Sequence, residues 1–216
     1  KAKSMNYSQV TEFRPSRLIL AAIHFAKAWE SVGLSPDVKT VINKEFIAIN
    51  DTLNAVPSTI LKDPDIHFFQ PDPIDPIKHA LLHDSGFVVI TLMSLPKGYH
   101  FNYHDHPSMT VLTKVLQGRL TIEHLELEDQ AKFYSSRPKV NATAIAKRTE
   151  IIDLGAGQTT ALFPEHNNIH SFQAEEDTVI MDVLINYYDD VRVCSYFEVT
   201  RELSNGKVEL RVTKQE

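Results

Sequence analysis

The sequence has very little cysteine: Cys194 is the one cysteine among 216 residues. A single cysteine excludes an internal disulfide, and with it the disulfide-stapled folds of small secreted proteins. A chain of this length can bury a substantial core without such links. We therefore expect a reducing compartment, the cytoplasm or else the nucleus.

Clusters of basic residues and long apolar runs are also missing. The formal net charge is −6 at pH 7, and no dense run of Lys and Arg offers a surface for nucleic acid or acidic lipid. The most apolar stretch, LILAAIHFAKAW, is shorter than a membrane span and contains His24 and Lys27. The expected protein binds neither nucleic acid nor a membrane.

The character of the chain changes near residue 60. Before that point, apolar residues at helical spacing predict helices over 16–33 and 35–51, the second with Ser35 as its N-cap. We expect residues 1–60 to form a helical segment that packs on the rest. Residues 61–216 are expected to form one β domain.

Short β-type runs dominate the second part of the chain. A proline-rich stretch over 61–79 is predicted to be an irregular connection. The closely spaced runs after it indicate an antiparallel sandwich or barrel, with a long polar excursion over 126–148. Strands are predicted at 87–94, 109–116, 119–125, 144–153, 159–163, 169–173, 178–185, 193–199 and 208–212.

The segment GYHFNYHDHPSMT, residues 98–110, is the main candidate for a functional site. His104 and His106 would share one face of a β-strand, because strand side chains alternate. Gly98 lies six positions before His104, and Gly118 lies twelve positions after His106. This spacing resembles the first cupin motif, in which such histidines face the interior of a barrel and bind a metal.

The carboxylate usual in that motif is missing, because Val111 occupies its position. The best candidate for a third ligand is His170, in FPEHNNIHSF. Three imidazoles suit iron, zinc, copper and nickel alike, and a His-x-His pair without any metal is the alternative. His100 and His166 are expected at the surface or around the site. The other histidines have no neighbours that indicate a site: His24, His67, His79, His83 and His124.

Three longer stretches carry a resemblance to a known family. They are YHDHPSMTVLTKVLQGRLTIEHLE, FPEHNNIHSFQAEEDTVIMDVL and CSYFEV. Together they resemble the plant cysteine oxidases and the animal cysteamine (2-aminoethanethiol) dioxygenases. The resemblance implies a mainly β fold, a cupin-type antiparallel double-stranded β-helix or jelly-roll barrel, with the N-terminal helices packed outside. It also implies Fe(II) held by His104, His106 and His170.

The same resemblance implies an activity, the oxidation of a thiol to a sulfinic acid by O2. The substrate would be cysteamine or the N-terminal cysteine of a peptide or protein, with an oxygen-sensing role in the latter case, and a monomer is expected. Asp182 and Tyr188 match catalytic positions, and Asp182 would orient a ligand histidine or the substrate amine. Cys194 and Tyr196 match a Cys-x-Tyr pattern and would form a thioether crosslink. A simple buried thiol is the alternative.

Several positions depart from the family pattern. Asp105 replaces the usual Asn, Ser108 replaces Gly, and INYYDD around Tyr188 lacks two prolines. The polar segment 126–148 has no clear counterpart. These departures leave the choice of substrate open, and two other functions stay open with it: a cupin metalloenzyme of another reaction class, and a non-catalytic cupin binding module.

Overall fold

The computed structural model describes residues 16–30, 38–70, 74–189 and 192–216. Its helices are α1 Ser16–Glu30, α2 Val38–Asn54 and α3 Gln130–Ser135, with short 3₁₀ helices at Ser58–Lys62 and Ser204–Gly206. None of these described helices is long and apolar enough to cross a membrane. The strands are β1 Lys78–Asp84, β2 Val88–Leu95, β3 His100–Asp105, β4 Thr110–Gln117, β5 Arg119–Leu127, β6 Thr143–Gly155, β7 Thr159–Leu162, β8 Ile169–Ala174, β9 Thr178–Ile185, β10 Ser195–Glu202 and β11 Lys207–Gln215.

The strands form two antiparallel sheets around a shared core. The first sheet has the order β1-β2-β9-β4-β7, and the second, β10-β11-β6-β5-β8-β3, closes on itself as a barrel. Ile180 of β9 and Val115 of β4 pack in one buried cluster with Ile122 of β5 and Phe172 of β8, so the sheets meet face to face. The predicted mainly β, cupin-type fold is confirmed.

Helices α1 and α2 cover the outer face of the first sheet. In β9, Met181 and Val183 point to this outer side, whereas Ile180 points to the interior, as strand alternation requires. Where side chains are described, residues of the apolar stripes that predicted the helices pack on the sheet, Phe25 of α1 and Ile49 of α2 among them. The predicted helix end at residue 33 and the predicted N-cap Ser35 lie outside the described residues. The helix residues buried there include Leu18, Ala22, Phe25, Ala26, Ile49 and Leu53.

Lys114 fastens α2 to the first sheet. Its side chain is buried on the helix side of β4, and Nζ donates to the carbonyl oxygens of Leu53, Asn54 and Val56 at 3.1, 2.6 and 2.7 Å. The last carbonyl groups of a helix lack helical donors, and a cation is favoured at that end. One ammonium group therefore satisfies three acceptors at the C-terminal end of α2.

Replacing Lys114 by Met is expected to lower the free energy of unfolding by about 2–4 kcal/mol, because buried carbonyls lose a charged donor while the apolar stem is kept. Urea unfolding measures the difference. Lys62→Met, at an exposed position of the neighbouring 3₁₀ helix, is the control and should change the value by less than about 0.5 kcal/mol. Equal losses in the two variants would contradict the role of Lys114.

The prediction of an irregular connection over 61–79 was wrong at its end. β1 begins at Lys78 and pairs along β2, and Phe69 forms a further bridge with His79. β3 was not among the predicted strands either, because in HFNYHD two aromatic residues are mixed with His, Asn and Asp. β1 forms a hairpin with β2, the next strand in the sequence, whereas β3 pairs with β8 and β10, which are distant in the sequence. Composition does not record such distant partners.

The predicted excursion over 126–148 is present but shorter than expected. β5 continues to Leu127 and β6 already begins at Thr143, so residues 128–142 connect the two strands, and α3 lies within this connection. Leu127, at the end of β5, and Ala146, in β6, are both buried. The two ends of the polar segment therefore belong to the sheet, and its middle part departs from it.

Candidate metal centre

Three histidines converge inside the barrel. His104 lies on β3, His106 directly follows that strand, and His170 lies on β8, where it pairs with His104. Nε2 of His170 lies 3.0 Å from Nε2 of His106 and 3.1 Å from Nε2 of His104. All three side chains are buried. Among the residues that the structure describes, they are the group whose donor atoms are close enough together to hold a metal ion.

Local irregularities of β3 turn both members of the His-x-His pair inward. The register between β3 and β8 shifts between Phe101 and His104, so the strand contains a bulge. β3 ends at Asp105, Pro107 follows His106, and Ser108 adopts a positive φ of 59° that turns the chain into β4. His104 therefore lies near the end of β3, after the bulge, and His106 lies just beyond the strand.

The two glycines that frame the motif occupy corners of the barrel. Gly98 connects β2 to β3 with a φ of 81°, and Gly118 connects β4 to β5 with a φ of 82°. A Cβ atom on Gly118 would lie 2.5 Å from the carbonyl oxygen of Asp177. Only glycine fits that corner, which explains the spacing seen in the sequence.

Burial keeps the three imidazoles neutral. It lowers the pKa of His104 to about 4, and it holds the pKa of His106 and His170 well below the ordinary range, with repulsion between the rings adding to the effect. Nδ1 of His104 lies 2.9 Å from the carbonyl oxygen of Asn102, so Nδ1 carries the proton. Nε2 of His104 then directs its lone pair at the other histidines.

These donor atoms fit a divalent transition-metal ion. Two nitrogen ligands about 2.1 Å from one ion, at right angles, lie about 3.0 Å apart, close to the observed separations of 3.0 and 3.1 Å. A cation also offers a partner to lone pairs that would otherwise face one another. The cluster of His104, His106 and His170 therefore fits a cupin metal site with three protein ligands.

Tyr188 lies beside His106, at the edge of the three-histidine cluster. Its Oη is 2.8 Å from Nδ1 of His106 and 2.7 Å from the carbonyl oxygen of Asp105. If Nδ1–H of His106 donates to Oη, the tyrosine O–H donates in turn to Asp105, and Nε2 of His106 faces the cluster. Burial raises the pKa of Tyr188 well above its ordinary value, so the hydroxyl keeps its proton. Tyr188 can thus fix the tautomer and orientation of His106.

Tyr188→Phe is expected to weaken metal binding about 10–100-fold, the usual loss when the partner of a ligand histidine is removed. Competition against a chromogenic chelator measures the affinity. Tyr99→Phe is the control, because its hydroxyl donates to Asp75 at 3.2 Å, away from the histidines. Unchanged affinity in Tyr188→Phe would show that this hydroxyl does not position His106.

Asp182 lies on β9 and points from the first sheet into the barrel. Ile180, two residues earlier on β9, belongs to the interior cluster that includes Phe172, whose ring lies 4.5 Å from the ring of His170. Because alternate strand residues share a face, the buried side chain of Asp182 lies on the same interior side of the sheet as Ile180. Burial raises the pKa of Asp182 to about 7, although a hydrogen bond from Thr113 at 2.6 Å opposes the shift. No hydrogen bond between the described residues joins Asp182 to a histidine.

Cys194 and Tyr196 lie next to each other beside the centre. The side chains of Tyr188 and Tyr196 are close enough to the thiol of Cys194 to influence its pKa. Tyr196 pairs with His104 across β10 and β3, and the two rings are 5.9 Å apart. Burial raises the pKa of Cys194 to about 12. The thioether crosslink between Cys194 and Tyr196 stays a prediction.

Sequence reasoning missed a fourth buried histidine. His124 pairs with His170 across β5 and β8, and the ring centroids are 5.9 Å apart. Neither ring nitrogen of His124 has a hydrogen-bond partner, and Nδ1 lies 3.4 Å from Oε1 of Glu150. The alternation of Leu120, Ile122 and His124 along β5 was the available signal. His100 and His166 are exposed.

The comparisons with known proteins agree on one family. The family model described as PCO_ADO matches residues 39–216. A probable 2-aminoethanethiol dioxygenase from Dictyostelium discoideum is 32% identical over 125 residues, which cover 56% of this chain and 55% of that protein. Plant cysteine oxidase 1 from Arabidopsis thaliana is 29% identical over 126 residues, which cover 56% of this chain and 41% of that protein. The matched region thus spans about half the length of these relatives.

Solved structures of similar shape include KdgF from Halomonas sp. and the Cnp3 cupin domain from Schizosaccharomyces pombe. KdgF is 17% identical, with a TM-score of 0.41 over 59% of this chain and 93% of that chain. The Cnp3 domain is 13% identical, with a TM-score of 0.38 over 57% of this chain and 70% of that chain. A likeness of this degree carries no argument about the chemistry of the site.

Proposed function

The chain belongs to the PCO_ADO family, and on that premise we propose that it is an Fe(II)-dependent thiol dioxygenase. The observation that carries the proposal is the convergence of three neutral histidines inside the barrel. In the reaction R–SH + O2 → R–SO2H, both oxygen atoms join the sulfur. The sulfur gives up four electrons and O2 accepts them, so no external reductant is needed.

Iron held by His104, His106 and His170 would supply a binding position for both the thiol and O2. The three ligands bring no negative charge, because burial keeps all of them neutral. An uncompensated cation favours a thiolate over a thiol, since a coordinating thiol loses its proton. The ligand set thus selects for a substrate that itself brings an anionic sulfur.

Aromatic rings shield the histidines from water. The ring of Phe101 lies 4.6 Å from that of His104, and the ring of Phe172 lies 4.5 Å from that of His170. The ring of Tyr196, on β10, lies 5.9 Å from that of His104 and covers the histidines on that side. A dry surrounding strengthens every electrostatic contact that the substrate makes and keeps competing reactions of O2 away.

We assign Asp182 to the substrate amine. The named relatives are an aminothiol dioxygenase and a cysteine oxidase, and both cysteamine and an N-terminal cysteine carry an amine two carbons from the thiol. An ionised Asp182, on the sheet opposite the histidines, suits that ammonium group. The proposed substrate class is therefore a small aminothiol or a peptide with a free N-terminal cysteine. Oxidation of a protein N-terminus, in the cytoplasm or nucleus, would make the enzyme responsive to oxygen supply.

O2 uptake by anaerobically Fe(II)-loaded protein tests this function. We expect about one O2 consumed per thiol with cysteamine or with a Cys-initiated peptide, and no uptake with the same peptide after N-acetylation. Zn(II)-loaded protein is the matched control and should be inactive, because zinc has no redox chemistry. Absence of uptake with every aminothiol, despite bound iron, would contradict the proposal.

A further inference from the structure

Helix α3 contributes one polar side chain to the surroundings of the metal centre. Oη of Tyr134 lies 3.0 Å from Oδ2 of Asp105 and 3.2 Å from Oδ1 of Asn168. The ring packs against the buried cluster that includes Phe133, whose centroid is 5.4 Å away. Packing therefore fixes the ring, and the hydroxyl reaches inward from it.

Asp105 connects α3 to the strand that carries two of the histidines. It stands between His104 and His106 in the sequence and is fully buried. Oδ1 accepts the backbone N–H of Ser195 at 2.7 Å, and Oδ2 faces Tyr134. A single carboxylate thus ties the end of β3 to both β10 and α3.

Asn168 connects the same hydroxyl to the third histidine. It is buried two residues before His170. Its Nδ2 donates to the carbonyl oxygen of His106 at 2.7 Å, and its Oδ1 lies 3.3 Å from the backbone N of His106. Asn168 is therefore the direct link between the segment of His106 and the segment of His170.

The position of His106 depends on these side chains, because His106 lies beyond the end of β3. Regular ladder bonds hold His104 and His170, which are paired with each other. The backbone N–H of His106 has only long contacts, at 3.2 Å to the carbonyl oxygen of Asn168 and at 3.3 Å to Oδ1 of Asn168. Its carbonyl oxygen accepts from Nδ2 of Asn168 at 2.7 Å and from the backbone N–H of Met109 at 3.0 Å, so Asn168 contributes the shortest bond to this backbone. Metal ligands must be held within about 0.2 Å of ideal distances, so small shifts of this segment matter.

We propose that Tyr134 is a positioning residue of the metal centre: its one O–H is shared between Oδ2 of Asp105 and Oδ1 of Asn168, which clamps the two side chains together and thereby fixes His106 relative to His170. The inference rests on the proposed metal centre but not on the reaction carried out there. It assigns a role to α3, which lies between β5 and β6 and contributes no metal ligand.

Tyr134→Phe tests the clamp, because it removes the hydroxyl and keeps the packed ring. Co(II) serves as the probe, with its affinity measured by chelator competition and its geometry by visible absorption. We expect an affinity about tenfold weaker and a changed absorption spectrum. Tyr99→Phe, which loses a comparable bond to Asp75 at 3.2 Å, should keep the affinity and the spectrum of the wild type.

Two substitutions of Asp105 distinguish loss of the hydrogen-bonded clamp from a general effect on packing. In Asp105→Asn, the amide oxygen can accept from Ser195 while the NH2 group donates to Oη of Tyr134, whose O–H remains available to Asn168. This variant should therefore retain Co(II) affinity. Asp105→Ala should lose at least as much affinity as Tyr134→Phe, and adding Tyr134→Phe to it should bring no further loss, since the two changes break one link.

Two results would overturn the inference in distinguishable ways. Wild-type affinity and spectrum in Tyr134→Phe would refute the clamp and leave the metal centre standing. A wild-type protein that binds no Co(II), Fe(II) or Zn(II) would refute the metal centre, the proposed function and the inference together. Thermal unfolding of the metal-free variants checks that each is folded before binding is measured.

Discussion

His170→Ala is expected to abolish metal binding and thiol oxidation together. Nε2 of His170 is the common neighbour of the other two donors, at 3.0 Å from His106 and 3.1 Å from His104. Its removal leaves two imidazoles, and Val111 stands where the cupin motif usually has an acid. We expect metal affinity to fall more than about 100-fold, which exceeds the loss typical when a residue hydrogen-bonded to a ligand histidine is removed. O2 uptake should fall to background.

His100→Ala is the matched control for that variant. His100 lies on the same strand as His104 but is exposed, so its removal should leave iron content and O2 uptake unchanged. Iron is measured after anaerobic loading and desalting, and uptake with cysteamine follows on the same samples. Retained uptake in His170→Ala would contradict a three-histidine centre.

Asp182→Asn is expected to lower kcat/KM for an aminothiol about 100-fold or more. The amide oxygen can still accept the hydrogen bond from Thr113, so the fold is kept while the charge is lost. An ammonium group brought into this buried position would then lack its counter-ion, and an unpaired buried charge costs about 3–5 kcal/mol. A thiol without an amine should be affected far less, which makes 2-mercaptoethanol a useful comparison substrate.

The pH dependence gives a second readout for Asp182. Burial raises its pKa from the ordinary 3.8 to about 7, and only the ionised form pairs with an ammonium group. The kcat/KM of the wild type should therefore rise with pH through about 7, and Asp182→Asn should lack this rise. Identical pH profiles in the two proteins would contradict the assigned role.

The same shift predicts the sign of a stability change in the metal-free protein. A carboxyl group whose pKa is raised on folding holds its proton more tightly when folded, so its contribution to stability is lost as pH rises from about 4 to about 7. The asparagine in Asp182→Asn does not titrate, so the variant lacks this loss of stability with rising pH. The stability of Asp182→Asn relative to the wild type should therefore improve between pH 5 and pH 8 in urea unfolding.

Local patterns in the sequence accounted for much of the fold. The predicted strand 178–185 matches β9 at both ends, since a mostly apolar run, here interrupted by Asp182, is typical of a strand buried on both faces. The positions of Gly98 and Gly118 in the sequence correctly indicated two corners of the barrel, because the positive φ angles at these corners are a local requirement. The rule that alternate strand residues share a face also predicted that His104 and His106 lie together.

The remaining features depend on contacts between distant parts of the chain. β3 is held in place by pairing with β8 and β10, and its sequence gives no hint of those partners. His124 is buried because β5 pairs with β8 at His170, and Tyr134 reaches Asp105 because α3 folds back over the barrel. The ends of the predicted excursion over 126–148 were misplaced for the same reason: composition does not reveal which strand a polar segment will pair with.

The most direct measurement of the central claim is isotopic. Fe(II)-loaded protein would oxidise a Cys-initiated peptide or cysteamine under an equal mixture of ¹⁶O2 and ¹⁸O2, with the product analysed by mass spectrometry. A thiol dioxygenase should give sulfinic acid carrying either two labelled oxygen atoms or none, because both atoms come from one O2 molecule. A disulfide product, or sulfinic acid with a single labelled atom as the main species, would contradict the account.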